Sequence, residues 1–94
     1  LLDRIGVSLA GAGGLVTIEG HTDDVALGLG SRYRSNWDLS AARAAAVADY
    51  LLNGDYVEAG KLNVLGLAET RPIADNSTLT GRASNRRIEI IVNN

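Results

Sequence analysis

Residues 20–24 read Gly-His-Thr-Asp-Asp, and Arg43 follows twenty positions after Asp23, inside Ser-Asn-Trp-Asp-Leu-Ser-Ala-Ala-Arg-Ala (35–44). A carboxylate beside a guanidinium matches a ligand that carries both an ammonium and a carboxylate. The planar fork of arginine suits two-point recognition of a carboxylate. Free N–H groups at a helix start add positive potential for an anion. If Asp23 and Arg43 face a shared pocket, that pocket reads the amino-acid end of a larger molecule. If instead they face each other, they form an internal ion pair that ties a loop to a helix. Both readings stand at this point.

Other chemistry has weaker support. His21 is the only histidine, and His21-Thr22-Asp23 has the form of a metal-ligand pair. No second histidine or cysteine exists to complete such a site, and hard cations need several oxygen ligands closely spaced. A histidine that anchors its loop by hydrogen bonds is the plainer reading, and no metal or cofactor is expected. Ser35 and Ser40 are hydroxyl donors without a Gly-x-Ser-x-Gly turn, so nucleophilic catalysis is not expected. Gly-Ala-Gly-Gly (11–14) is read as a turn between a helix and a strand, the wrong order for a dinucleotide loop. Arg82, Arg86 and Arg87 form a basic cluster that is too small for a nucleic-acid patch in an acidic chain. One of them is expected on a solvated strand edge, another to pair with Glu89 or Asp75, and one to reach the same rim as Asp23 and Arg43. Trp37 is expected to anchor the loop by packing.

These residues must be positioned by a small set of elements. Apolar spacing over 1–10 predicts the end of a helix. Leu-Val-Thr-Ile-Glu-Gly (15–20) alternates and reads as a strand. Residues 21–36 form a polar, glycine-rich loop. A helix follows from about Leu39 to Leu52, with Asn36 or Asp38 as its cap. Its apolar stripe is read as Leu39, Arg43, Val47 and Leu51, with Ala46 and Tyr50, which sets an arginine inside the apolar line. Residues 61–68 read as a second strand, 69–85 as a polar connection with a helical turn near Arg82, and 86–92 as a last strand with one wet face. Strand, helix and strand over 15–68 make a βαβ unit with parallel strands and a right-handed crossover. In such a unit the ends of strands and the starts of helices share one rim, which is where open α/β sheets bind ligands. That rim carries His21 to Asp24 and Asn36 to Arg43.

The fold class expected is α/β (α+β): a two-layer sandwich in which the βαβ unit and a C-terminal strand form a small mixed sheet with helices on one face. Ninety-four residues make one domain, spanning 1–94. Hydrophobic residues are 46% of the chain, yet it holds only one Trp, three Tyr and no Phe, so the core is aliphatic. A formal net charge of −2 argues against nucleic acid as a partner. The absence of cysteine excludes a disulfide framework. The absence of methionine, and a helix with no strand before it, lead us to expect a piece of a larger protein whose first strand precedes Leu1. No apolar run approaches the roughly 18 residues that a membrane span needs.

Taken together, Gly-His-Thr-Asp-Asp (20–24), Ser-Asn-Trp-Asp-Leu-Ser-Ala-Ala-Arg-Ala (35–44) and Arg-Pro-Ile-Ala-Asp-Asn-Ser-Thr-Leu-Thr-Gly-Arg-Ala-Ser-Asn-Arg-Arg-Ile-Glu-Ile (71–90) resemble the C-terminal peptidoglycan-binding domain of the OmpA/MotB family. The resemblance covers about residues 15–92, and the second motif looks most like the flagellar stator form. Domains of this kind also occur in type VI secretion accessory proteins and in MotB-like subunits of anti-phage systems, so the alternative that the resemblance leaves is a structural or dimerisation scaffold in a type VI secretion or other envelope complex. The resemblance implies non-catalytic binding of the cell-wall peptide stem in the periplasm, by a membrane-anchored and homodimeric parent. It implies that Asp23 and Arg43 grip diaminopimelate, with Asn36, Leu39 and Thr22 beside them, and that Arg86 and Arg87 chiefly support the fold. The family's first strand and the loop after it are not matched. The segment Val-Ala-Leu-Gly-Leu-Gly-Ser-Arg-Tyr-Arg (25–34) also departs from the shorter stator-type loop.

Overall fold

The computed structural model describes residues 4–7 and 14–93, and the element bounds below refer to these. Of the helix expected over 1–10, residues 4–7 are helical and the rest lies outside the described residues. The chain then forms β1 (Leu15–His21), α1 (Asn36–Asn53), a 3-10 turn (Ala59–Lys61), β2 (Leu62–Gly66), α2 (Leu79–Asn85) and β3 (Arg87–Asn93). The strands lie in the order β2-β1-β3. β1 runs parallel to β2, with Ile18 opposite Val64, and antiparallel to β3, with Ile18 opposite Ile90. The mixed sheet and its βαβ unit are those expected from the sequence.

Period-two alternation in β1 turns Val16 and Ile18 to one face, where they are 2% and 0% exposed. α1 covers that face with Ala44, Ala48 and Leu51, and Ile5, Leu62, Ile88, Ile90 and Val92 pack around them. Each fully buried Val, Leu or Ile contributes about 1.5–3 kcal/mol relative to exposure. Ile88, Ile90 and Val92 face this core while Ile91 and Asn93 are exposed, so β3 has the one wet face that its alternation implies.

The helix itself corrects two expectations. α1 starts at Asn36, three residues earlier than expected, because the Ser35 hydroxyl accepts from the Asp38 N–H at 3.3 Å and so caps it. Such a cap is worth about 1 kcal/mol. The buried stripe is Ser40, Ala44, Ala48 and Leu51: Leu51 is as read in the sequence, and the other three lie one position on from Leu39, Arg43 and Val47. Arg43, Ala46 and Tyr50 are exposed, and Leu39 and Val47 half-buried. The reason is steric. Small side chains let the helix lie close on the sheet, and a row containing Arg43 would hold it away.

Candidate functional site

Two glycines set the distance between helix and strand ends. A Cβ on Gly20 would overlap the Ser40 carbonyl, and one on Gly66 would lie 2.6 Å from the Ala41 backbone nitrogen. Neither can carry a side chain without moving α1. The first turns of the helix therefore lie against the C-terminal ends of β1 and β2, which brings Asn36, Leu39 and Arg43 to the loop that leaves β1.

Ala68 locks the same corner. It is fully buried with φ at 53°, a left-handed conformation that is uncommon for a residue with a Cβ. Its N–H donates to the Ser40 hydroxyl at 3.1 Å, and its carbonyl accepts from the Thr22 N–H at 2.8 Å. Helix α1, the end of β2 and the residue before Asp23 are joined through this one alanine. Strained backbone of this kind collects beside functional sites. Nothing in the local sequence marks Ala68 for that role.

Thr22, Asp23, Asn36, Leu39 and Arg43, the five residues singled out in the sequence, all line one cleft of about 280 Å³. Loop residues 25–28 form its far wall, and Arg86 completes it. Thr22 is buried and donates its hydroxyl to the Asp23 carbonyl at 2.8 Å. The Asn36 amide reaches the Val25 carbonyl at 3.1 Å and Glu69 Oε2 at 2.9 Å, so it staples the far wall to the helix start. A second groove of similar volume adjoins the cleft, sharing Ala26, Leu27 and Asn36 and lined by Arg34, Trp37 and Glu69. Trp37 stands 52% exposed at that groove, where the sequence suggested a packed anchor. The ring lies beside the loop and does not lock it.

Asp23 and Arg43 share the cleft, but their partners are not those expected. Asp23 is 8% exposed. Its Oδ1 accepts from the Val25 N–H at 3.0 Å, and its Oδ2 accepts from Arg86 Nη1 at 2.6 Å. The internal ion pair is therefore Asp23–Arg86, closing the end of β1 onto the start of β3. Arg43 is exposed, and among the described residues it has no hydrogen-bond or ion-pair partner. Sequence reasoning gave Arg86 chiefly a supporting role. The two arginines are adjacent in sequence, but Arg86 stands at the cleft whereas Arg87 bonds Glu89 at 2.7 Å and the Arg71 carbonyl at 2.9 Å. The turn from α2 into β3 divides them, and it is not legible in the dipeptide.

His21 belongs to a separate set of contacts. Its Nε2 lies 3.2 Å from Glu19 Oε1 and 3.4 Å from Glu89 Oε2. Those three side chains bring ligand atoms within 4.8 Å of one another. The carboxylates are already met by Arg87 and, at 3.9 Å, by Arg71. The buried Nδ1 of His21 has no hydrogen-bond partner among the described residues. His21 and Asp23 are thus held by different groups, which is poor geometry for an acid–base pair.

With the fold and cleft in view, comparison with known proteins identifies the domain. The OmpA family profile matches residues 1–86. The peptidoglycan-binding protein ArfA of Mycobacterium tuberculosis is 46% identical over 82 residues, covering 83% of this chain and 22% of ArfA. The cell wall anchor of the type VI secretion system of Pseudomonas aeruginosa superposes with a TM-score of 0.86 at 43% identity, covering 97% of this chain and 62% of that one. The C-terminal domain of Helicobacter pylori MotB gives a TM-score of 0.85 at 30% identity, covering 99% and 70%. The chain spans well under half the length of the curated relatives it matches, 19%, 38% and 29% for three of them. It belongs to the OmpA family.

Proposed function

We propose that this domain is a cell-wall anchor that binds the peptide stem of peptidoglycan and performs no catalysis. The observation that carries the reading is the cleft, lined by both an exposed guanidinium, which has no partner among the described residues, and a buried carboxylate. Arg43 takes the side-chain carboxylate of diaminopimelate, and Asp23 takes its ammonium. Thr22 and Asn36 hold the loop that carries Asp23, and the backbone at Leu39 offers the ligand a contact. The names of ArfA, a peptidoglycan-binding protein, and of the secretion-system cell wall anchor support peptidoglycan as the ligand. The parent is a membrane-anchored, homodimeric protein of the envelope, such as a flagellar stator, with this domain in the periplasm.

A charge-assisted contact is worth about 1.5–3 kcal/mol net, so one site binds modestly and paired domains add avidity. Co-sedimentation with purified sacculi tests the reading. Saturable retention that Arg43→Gln abolishes, with no muropeptide released over time, is the expected result. Release of soluble fragments would favour a hydrolase, and unchanged retention of the variant would remove Arg43 from the site.

A further inference from the structure

We propose that the cleft reads the carboxylate of diaminopimelate first and its ammonium second. It then rejects a stem whose side-chain carboxyl is amidated and accepts one whose side-chain amine is acylated in a cross-link. The inference rests on the peptidoglycan reading above and fixes which chemical form of the wall the domain holds.

Three charged side chains line the cleft: Asp23, Arg43 and Arg86. Asp23 is met on both oxygens before any ligand arrives, by the Val25 N–H and by Arg86. An incoming ammonium must share a carboxylate whose charge is largely compensated. Arg43 has no such partner among the described residues, so a ligand carboxylate meets a whole uncompensated cation. The cleft as built carries one positive charge in excess, which favours an anion over a zwitterion of the same shape. In an uncross-linked stem the distal centre of diaminopimelate carries both groups. Cross-linking acylates the amine and leaves the carboxylate, whereas amidation removes the carboxylate and leaves the amine. The two modifications therefore separate the two contacts cleanly.

The test is calorimetric titration of this chain with three synthetic tetrapeptide stems: the free form, the side-chain carboxamide and the side-chain N-acetyl derivative. We expect amidation to weaken binding by about tenfold or more, and acetylation by no more than about threefold. In Arg43→Gln the free and amidated stems should bind equally, since the group that tells them apart is gone. In Arg86→Gln, with the Asp23 charge released, the penalty for acetylation should grow, a change that a purely structural role for Arg86 would not produce. A larger penalty for acetylation than for amidation in the unaltered chain overturns the proposal. So does continued discrimination against the amide by Arg43→Gln. If none of the three stems binds, the peptidoglycan reading itself falls, and this inference with it.

Discussion

Two charged clusters meet at the end of β1, and they differ in how completely their charges are answered. In the first, Glu19, His21, Glu89, Arg71 and Arg87 form a chain of contacts in which each carboxylate has an arginine and the imidazole lies between carboxylates. In the second, Asp23 and Arg86 answer each other while Arg43 is left over. Both are built from the same residue types a few positions apart. A closed set of charges ties β1 to β3, and an open set is available to a ligand. The position of a single guanidinium therefore separates support from recognition.

The strongest way to disturb both clusters at once is Gly20→Ala. The added methyl meets the Ser40 carbonyl, which is backbone and cannot rotate away. A stability loss of about 3 kcal/mol is expected in denaturant unfolding, at the upper end of overpacking costs. Gly28→Ala, where nothing lies within 4 Å, should leave stability unchanged and serves as its control.

The comparison sharpens with Asp23→Asn and Arg87→Gln. Asp23→Asn breaks the ion pair with Arg86. Because the Arg86 side chain is 45% exposed, solvent screens the pair, and the expected stability loss is about 1 kcal/mol. It should also weaken binding of diaminopimelate stems, because the carboxylate that takes the ammonium is gone. Arg87→Gln should also cost about 1 kcal/mol, by leaving Glu89 and the Arg71 carbonyl short of a donor. It should leave affinity nearly as it was. Equal losses of affinity in the two variants would dissolve the distinction between the clusters.

The smallest effect is expected at Asp75, which belongs to neither. Its carboxylate accepts from the Ser77 backbone N–H at 2.8 Å, and that bond, followed by one to the Ser77 side chain, holds its pKa below the usual carboxylate value. A lowered folded pKa means that the contribution is complete above the unfolded value, about 3.9, and is lost as pH falls through the lower folded one. The Ser77 amide resonance should move over that acidic window, as NMR titration would show.

The sheet, the connection bearing α2 and the set of cleft residues were legible in the sequence because each has a local signal: alternation in β1, turn and polar residues over 69–85, and charge at the strand end and helix start. The cap of α1 was not, since Ser35 rather than Asn36 or Asp38 fills it. Nor was the burial stripe of α1. Leu51 is buried as read, but Leu39 and Val47 are larger side chains that draw the eye, and the helix presents Ser40, Ala44 and Ala48 to the sheet in their place, since close approach over Gly20 and Gly66 is decided by tertiary fit. The partner of Asp23 was hidden for a related reason. Arg86 lies 63 positions away, and only the antiparallel register of β3 on β1, with Arg87 opposite His21, brings it there.

The most direct test of the account is titration of a diaminopimelate tetrapeptide stem into the unaltered chain and into Arg43→Gln, with thermal unfolding measured on both. Arg43 is exposed and unpartnered among the described residues. The account therefore predicts binding by the unaltered chain, a loss of about tenfold or more in the variant, and unfolding curves that coincide. A variant that binds as well as the original, or one that loses stability along with affinity, would contradict the claim that this arginine is held open for a ligand.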